Sequence, residues 1–195
     1  MIKSQLISNA YFTSKLDLPI TALLKEFNID VFSEMNQTHS NIVKMIKSTG
    51  IYNTDAIITS MKALPLVVKT ADCMPILMSD GIKVSAVHSG WKGVKNKIFE
   101  KTISKFDLNS LKVSIGPYAK DCCYEVKKDV ATNFPGSIKN VDNKLFLNLS
   151  KNIEKLAQKL NFELEVSNIC TICNSDYNSY RKSKTKDRQY GIIWL

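Results

Sequence analysis

The chain has two histidines and five cysteines. One of each falls in TADCMPILMSDGIKVSAVHSGWKG, residues 70–93, as Cys73 and His88. Between them, Asp80-Gly81 has the chemistry of a two-residue type I′ turn, in which both central residues take positive φ. The runs on either side, 74–79 and 82–87, are rich in residues that suit strands. With Asp80 and Gly81 as the loop, Ser79 faces Ile82, paired numbers sum to 161, and Cys73 falls opposite His88. Directly opposed residues share a face with Cβ atoms about 4.5–5.5 Å apart. That face also carries Leu77, Val84 and Ala86. A thiol and an imidazole so placed can share one metal ion or one proton.

The other histidine, His39, stands in NQTHSN, a polar stretch between two apolar runs, and so on a loop or strand edge. His39, Cys73 and His88 together suit three chemistries. They fit a tetrahedral zinc whose fourth position is open. They also fit the His₂Cys plane of a type 1 copper centre, with Met74 or Met78 as axial ligand. Without metal they give a cysteine nucleophile with a histidine base. Zinc is the preferred reading, because a hairpin is a rigid ligand platform. Asp72 starts the strand and serves either as a turn aspartate or, curled back, as an orienter or proton carrier beside Cys73. After His88, Gly90 and Gly93 read either as a plain strand-to-helix turn or as a phosphate or oxyanion site at a helix start, where Lys92 adds positive charge; Trp91 packs in the core, covers the pocket or stacks on a flat base.

Elements able to hold these residues recur along the chain. Strand-like runs cover 55–59, 66–70, 111–115, 163–169 and 191–195, and Pro19 suits the first turn of a helix. Helical stripes run through Leu149, Ile153, Leu156 and Leu160, through Val94, Ile98, Thr102 and Phe106, and through Val126, Val130 and Phe134. Strands mingle with helices, and the hairpin rules out a purely parallel sheet. The expectation is one α/β (α+β) domain over residues 1–195, with mixed sheet layers flanked by helices.

A formal charge of +9 invites a nucleic-acid reading. The lysines are scattered, however, and the only arginines, Arg181 and Arg188, fall in one C-terminal segment, so a phosphate-bearing small substrate is favoured and nucleic acid is not. No apolar run approaches a membrane span of about 20 residues, and the first residues have no apolar leader core. With five cysteines, an odd number, this places the protein in the cytoplasm. A cytidine-type zinc deaminase is excluded, since neither histidine is followed two residues on by Glu and Ile169 rather than Pro precedes Cys170. A structural zinc on Cys170 and Cys173 would need two more ligands, which only Cys122 and Cys123 could supply; buried structural cysteines are the favoured reading.

The T-A-D-C block with H-S-G-W-K-G resembles the laccase-domain family, together with NQTHSNIV before it, IGPYAKDCCYEV after it and SYRKSKTKDRQYGIIWL at the end. Members of that family are named variously polyphenol oxidase, peptidoglycan editing factor and purine nucleoside phosphorylase. The resemblance runs from about residue 35 to the C-terminus. It implies the laccase-domain (cytotoxic necrotizing factor-like) fold and a zinc site, with copper the alternative, made of His39, Cys73 and His88. It further implies phosphorolysis of adenosine, inosine, guanosine and methylthioadenosine by inorganic phosphate, with some adenosine deamination. Arg181 falls in a stretch matching the family's Ser-Tyr-Arg-Arg, and Lys92 stands where the family usually has Arg; both are cationic candidates for phosphate. Either Lys15 replaces the arginine of the family's Arg-Gly-Gly loop as a further substrate- or phosphate-binding residue or that subsite is missing, and Lys186-Asp187-Arg188 stands in place of Thr-Gly-Arg. Four-electron laccase chemistry needs a type 1 site and a trinuclear cluster rich in imidazole, which two histidines cannot supply. The rivals are a Cys73–His88 amide hydrolase and a non-catalytic cell-wall editing factor.

Overall fold

The computed structural model describes all 195 residues. Two six-stranded mixed sheets and a smaller three-stranded sheet form its frame. The first sheet runs, in spatial order, Ile2–Lys3, Ala10–Phe12, Gln189–Ile193, Leu66–Thr70, Ser33–Met35 and Gly50–Tyr52. The second runs Glu163–Val166, Lys112–Ile115, Met74–Ser79, Val84–Ser89, Ala56–Thr59 and Val43–Met45. Their central strands are apolar at consecutive positions, as in Leu66-Val67-Val68 and Ile76-Leu77-Met78, all fully buried. Such strands need cover on both faces.

The layers follow from that need. Met35, Leu66, Val68 and Ile193 of the first sheet meet Ile57, Leu77, Val84 and Ala86 of the second in a core between the sheets. On the far side of the second sheet, Met74, Ile76, Met78 and Val87 pack against Ile98, Phe99, Ile103 and Ile153 from two helices, Ile98–Ile103 and Lys151–Leu160. On the far side of the first, Val67 and Ile192 meet Leu23 and Leu24 of the helix Ile20–Glu26. The mixed α/β architecture expected from the sequence is therefore built as helix, sheet, sheet, helix.

Two helical expectations are corrected. The stripe from Val94 to Phe106 is two helices, Trp91–Lys95 and Ile98–Ile103, because Lys97 takes a left-handed conformation at φ 59°. That break folds Ile98 under the first helix, where its Cγ2 lies 3.2 Å from the Cβ position of Gly93. In the stretch 126–134 only Lys128–Ala131 is helical, since Val126 pairs with Leu145 in the small sheet. Pro19 is the cap of its helix rather than a member of the first turn.

The hairpin exists, with a longer loop than expected. Ser79 pairs with Val84, so the paired numbers sum to 163 and four residues make the turn. Only Gly81 has positive φ, at 83°. The physical reason is the Asp80 carboxylate, which accepts from the N–H groups of Ile82 (3.0 Å), Lys83 (2.7 Å) and, across the sheet end, Asp107 (3.3 Å). This side-chain turn competes with the type I′ backbone. Burial alone would raise the Asp80 carboxyl, but those donors outweigh it and hold it below the ordinary range. A carboxylate depressed in the folded state stabilises above its unfolded pKa of about 4 and loses that contribution as pH falls through the folded value. Asp80→Asn is therefore expected to melt below wild type at pH 7, with the gap closing as the pH is lowered past about 4. Melting curves of both proteins across that range check it, and a gap independent of pH would count against it.

Candidate metal centre and substrate cleft

The two-residue shift of register keeps every side chain on its face, since strand side chains alternate with period two. Cys73 precedes the strand Met74–Ser79 and lies diagonal to His88 instead of opposite. His39 arrives on the loop between Ser33–Met35 and Val43–Met45, with φ at 60°. The structure brings these three together: the ligand atoms of His39, Cys73 and His88 all lie within 4.8 Å of one another. Cys73 Sγ is 3.8 Å from His39 Nε2, and the two imidazoles meet edge to face with centroids 4.7 Å apart. Burial is graded from exposed His39 through Cys73 to buried His88, so the cluster opens towards solvent on one side.

Asp55, absent from the sequence reading as a functional residue, holds this arrangement. It is fully buried. Its Oδ1 is 2.7 Å from His88 Nδ1 and accepts the His39 N–H at 3.1 Å. Its Oδ2 accepts the Ser40 N–H and hydroxyl, at 2.6 and 2.7 Å, and the Thr38 N–H at 3.2 Å. One carboxylate thus fixes the His88 ring and folds the His39 loop, leaving His88 Nε2 as the free nitrogen. The available signal was a charged residue opening an otherwise apolar strand, DAIIT; an ionised carboxylate there must find donors.

The electrostatics suit a ligand set. Burial pushes the Cys73 thiol up, but the positive charge of His88 and hydrogen bonding with both histidines outweigh it and bring the thiol down to about 6. Burial pulls His88 down, while the Cys73 charge and the bond to Asp55 hold it up, at about 9. Gly90 completes the cradle: a Cβ there would stand 2.6 Å from Cys73 Sγ. Ligands at about 2.3 Å for sulfur and about 2.0–2.1 Å for nitrogen on a tetrahedral ion lie about 3.6 Å apart. The observed 3.8 Å between Cys73 Sγ and His39 Nε2 fits a bound zinc.

Above the cluster lies a cleft of about 990 Å³, lined by His39, Cys73 and His88 at its foot and by Trp91, Lys92, Tyr124 and Arg181 on its walls. Further cations join them: Lys69, Lys184, Lys186 and Arg188. Trp91 packs partly on the core and also lines the cleft. The helix it opens, Trp91–Lys95, is so short that side-chain cations rather than a helix dipole supply the positive field. The Arg181 guanidinium lies 4.9 Å from the Tyr124 ring centroid. Asp72, with φ at 88°, accepts from the Thr171 hydroxyl (2.8 Å) and the Arg181 N–H (2.6 Å). Both of its oxygens therefore position the far wall. Lys15 is outside the cleft, its N–H donating to the Asp176 carbonyl at 2.9 Å.

Set beside known proteins, the sequence matches the family described as multi-copper polyphenol oxidoreductase laccase over residues 20–195. The chain belongs to this laccase family. The resemblance seen in the T-A-D-C block is borne out. Among its relatives in the family, a purine nucleoside phosphorylase of Aquifex aeolicus is 36% identical over 161 residues, spanning 78% of this chain and 77% of the relative. A purine nucleoside phosphorylase of Clostridium acetobutylicum is 35% identical over 184 residues, spanning 86% of this chain and 78% of the relative. The fold is that of the Bacillus licheniformis hypothetical protein YfiH, with a TM-score of 0.85 at 21% identity, covering 95% of this chain and 92% of that one. YlmD of Geobacillus stearothermophilus gives 0.79 at 18% identity, covering 89% and 78%. No helix of this laccase-family protein is long and apolar enough to cross a membrane.

Proposed function

We propose that this laccase-family chain is a cytoplasmic, zinc-dependent purine nucleoside phosphorylase acting on adenosine, inosine, guanosine and methylthioadenosine, with adenosine deamination as a side activity. The observation that carries the reading is the His39–Cys73–His88 cluster at the foot of a cationic cleft flanked by aromatic rings. Zinc held by these three residues supplies a Lewis acid that polarises an oxygen presented to it. The protein's own groups do the rest. Lys92 and Arg181 hold phosphate, Arg181 by paired N–H donors. Trp91 and Tyr124 flank a flat base, and Asp72 keeps the Arg181 helix in place. Phosphate oxygen bonds to the anomeric carbon as the bond to the purine nitrogen breaks, and the purine leaves with that electron pair and takes up a proton. Cations around the phosphate stabilise charge that shifts during this exchange. Two histidines remain too few for a multicopper oxidase.

The test is phosphate-dependent release of adenine from adenosine by zinc-loaded protein and by Cys73→Ala. Adenine with ribose 1-phosphate, lost in the variant, supports the reading; inosine marks the deaminase activity. Zinc bound stoichiometrically with neither product would overturn the nucleoside assignment. The low thiol of Cys73 beside His88 favours one second reading, a Cys–His hydrolase. That enzyme would survive chelators and die on alkylation, whereas the phosphorylase dies with its zinc. Arg181→Ala is expected to lower kcat/KM for phosphate by about 10–100-fold, through loss of a charge-assisted bidentate contact. Arg181→Lys should recover only part of it; full recovery would argue for charge alone. Phosphate titrations at saturating nucleoside separate these outcomes.

A further inference from the structure

The remaining four cysteines form a second cluster. Their sulfurs all lie within 4.8 Å of one another, and Cys122 Sγ is 3.5 Å from Cys173 Sγ. The expectation of buried structural cysteines is corrected here: only Cys170 is buried, Cys123 is intermediate, and Cys122 and Cys173 are exposed. Exposed thiols gain nothing from core burial, so packing does not account for the cluster. Topology explains how it forms. Lys112–Ile115 and Glu163–Val166 are parallel neighbours, so the chain leaves both strands at the same end of the sheet. Tyr118 and Cys170 continue the parallel contact as an isolated bridge.

We infer that Cys122, Cys123, Cys170 and Cys173 are the four ligands of a structural zinc site separate from the His39–Cys73–His88 cluster. Four sulfurs at about 2.3 Å from a tetrahedral ion stand about 3.8 Å apart, close to the 3.5 Å between Cys122 and Cys173 and inside the cluster's 4.8 Å limit. Two tight turns present them. Cys123 and Tyr124 N–H groups donate to the Lys120 carbonyl at 3.0 and 2.8 Å, and Asn174 N–H donates to the Cys170 carbonyl at 3.0 Å. The backbone N–H of Lys120 donates to Cys170 Sγ at 3.5 Å, which suits a metal-bound thiolate. All four are free cysteines, with every sulfur placed to reach one ion. Because four protein ligands close the coordination sphere, the site is structural. Each protonated thiol releases one proton on binding.

The cluster sits behind the wall of the cleft. Ala119 N–H donates to the Asp72 carbonyl at 2.9 Å, the Thr171 hydroxyl bonds the Asp72 carboxylate, and Tyr124 follows Cys123 directly. Zinc here would therefore stiffen the two loops that hold Asp72 and carry the ring against Arg181.

The test counts metal in protein purified under reductant from zinc-supplemented cells. Two zinc ions per chain are expected in wild type and one in Cys73→Ala. One is also expected in Cys122→Ser/Cys173→Ser, whose changes fall on exposed positions. Cobalt substituted into Cys73→Ala should give the intense charge-transfer and d–d absorption of a four-thiolate tetrahedral site, and single Cys122→Ser should weaken it. The inference is overturned if folded Cys73→Ala carries no zinc and gives no such spectrum. It is equally overturned if mass spectrometry finds Cys122 and Cys173 joined, two hydrogens lighter, in the reduced preparation. None of these readings depends on phosphorolysis, so the two proposals fail separately.

Discussion

Replacing Asp55 by alanine is expected to cost about 3–5 kcal/mol of stability and to weaken zinc at the His39–Cys73–His88 cluster by about 10–100-fold or more. The size follows from what the carboxylate holds. It is fully buried, and it accepts from Thr38, His39, Ser40 and His88 at once. Removing it leaves buried donors unpaired and His88 without its partner. Asp55→Asn separates the two effects. The amide keeps the volume, and its oxygen still serves one side, but its NH₂ group faces donors on the other. Stability should fall less than in alanine, while zinc still weakens because the His88 ring is no longer held by a charge-assisted bond. Thermal melting and zinc competition titrations measure both; wild-type zinc affinity in Asp55→Asn would refute the role given to this residue.

Gly90→Ala is expected to weaken zinc binding at the same cluster severely with the fold intact. The added methyl would lie 2.6 Å from Cys73 Sγ and 3.5 Å from His39 Cδ2, where ordinary contacts are about 3.5–4.0 Å. Gly90 has φ at −85° and ψ at −174°, a conformation alanine adopts without strain. The whole effect therefore falls on the thiol, which must turn away from the histidines. Destabilisation of about 1–3 kcal/mol is expected, with zinc affinity down more than about 100-fold, beyond what the loss of an outer partner does. The phosphorolysis proposed above should fall with the metal. An alanine variant that binds zinc as wild type does would show that Cys73 is not held where the cradle places it.

The sequence made the pairing of Cys73 with His88 legible through parity rather than register. Any hairpin with an even loop puts these two on one face, so a sum of 163 in place of 161 moved them from opposite to diagonal without separating them. The loop length itself was hidden in Asp80, whose carboxylate finds Asp107, a partner 27 residues away. Asp55 was hidden for a similar reason: local pattern shows an aspartate at a strand start, while its donors come from a loop at 38–40 and a strand at 84–89. The four remaining cysteines were visible as candidates, but only the parallel pairing of 112–115 with 163–166 brings the two turns together. Counterpart position in a motif does not fix direction: the Lys15 N–H bonds to the Asp176 carbonyl, and Lys15 is not among the residues lining the cleft. Periodicity found the stripe around Ile153 because it is a single long helix, and failed for Val94–Phe106 where one left-handed residue divides it.

The place of Gln189–Ile193 governs how the molecule is made. This segment lies between Ala10–Phe12 and Leu66–Thr70, joining through both of its edges two parts of the chain that are synthesised early. The residues just before it, from Arg181 to Arg188, form the cationic wall of the cleft. On the ribosome, the early strands of the first sheet must wait with open edges until these residues emerge. Folding of this sheet is thus dominated by long-range pairing, which is slow and leaves edges open to aggregation. A chain ending before this strand would have neither the joined first sheet nor, if cut before Arg181, the cationic wall of the cleft.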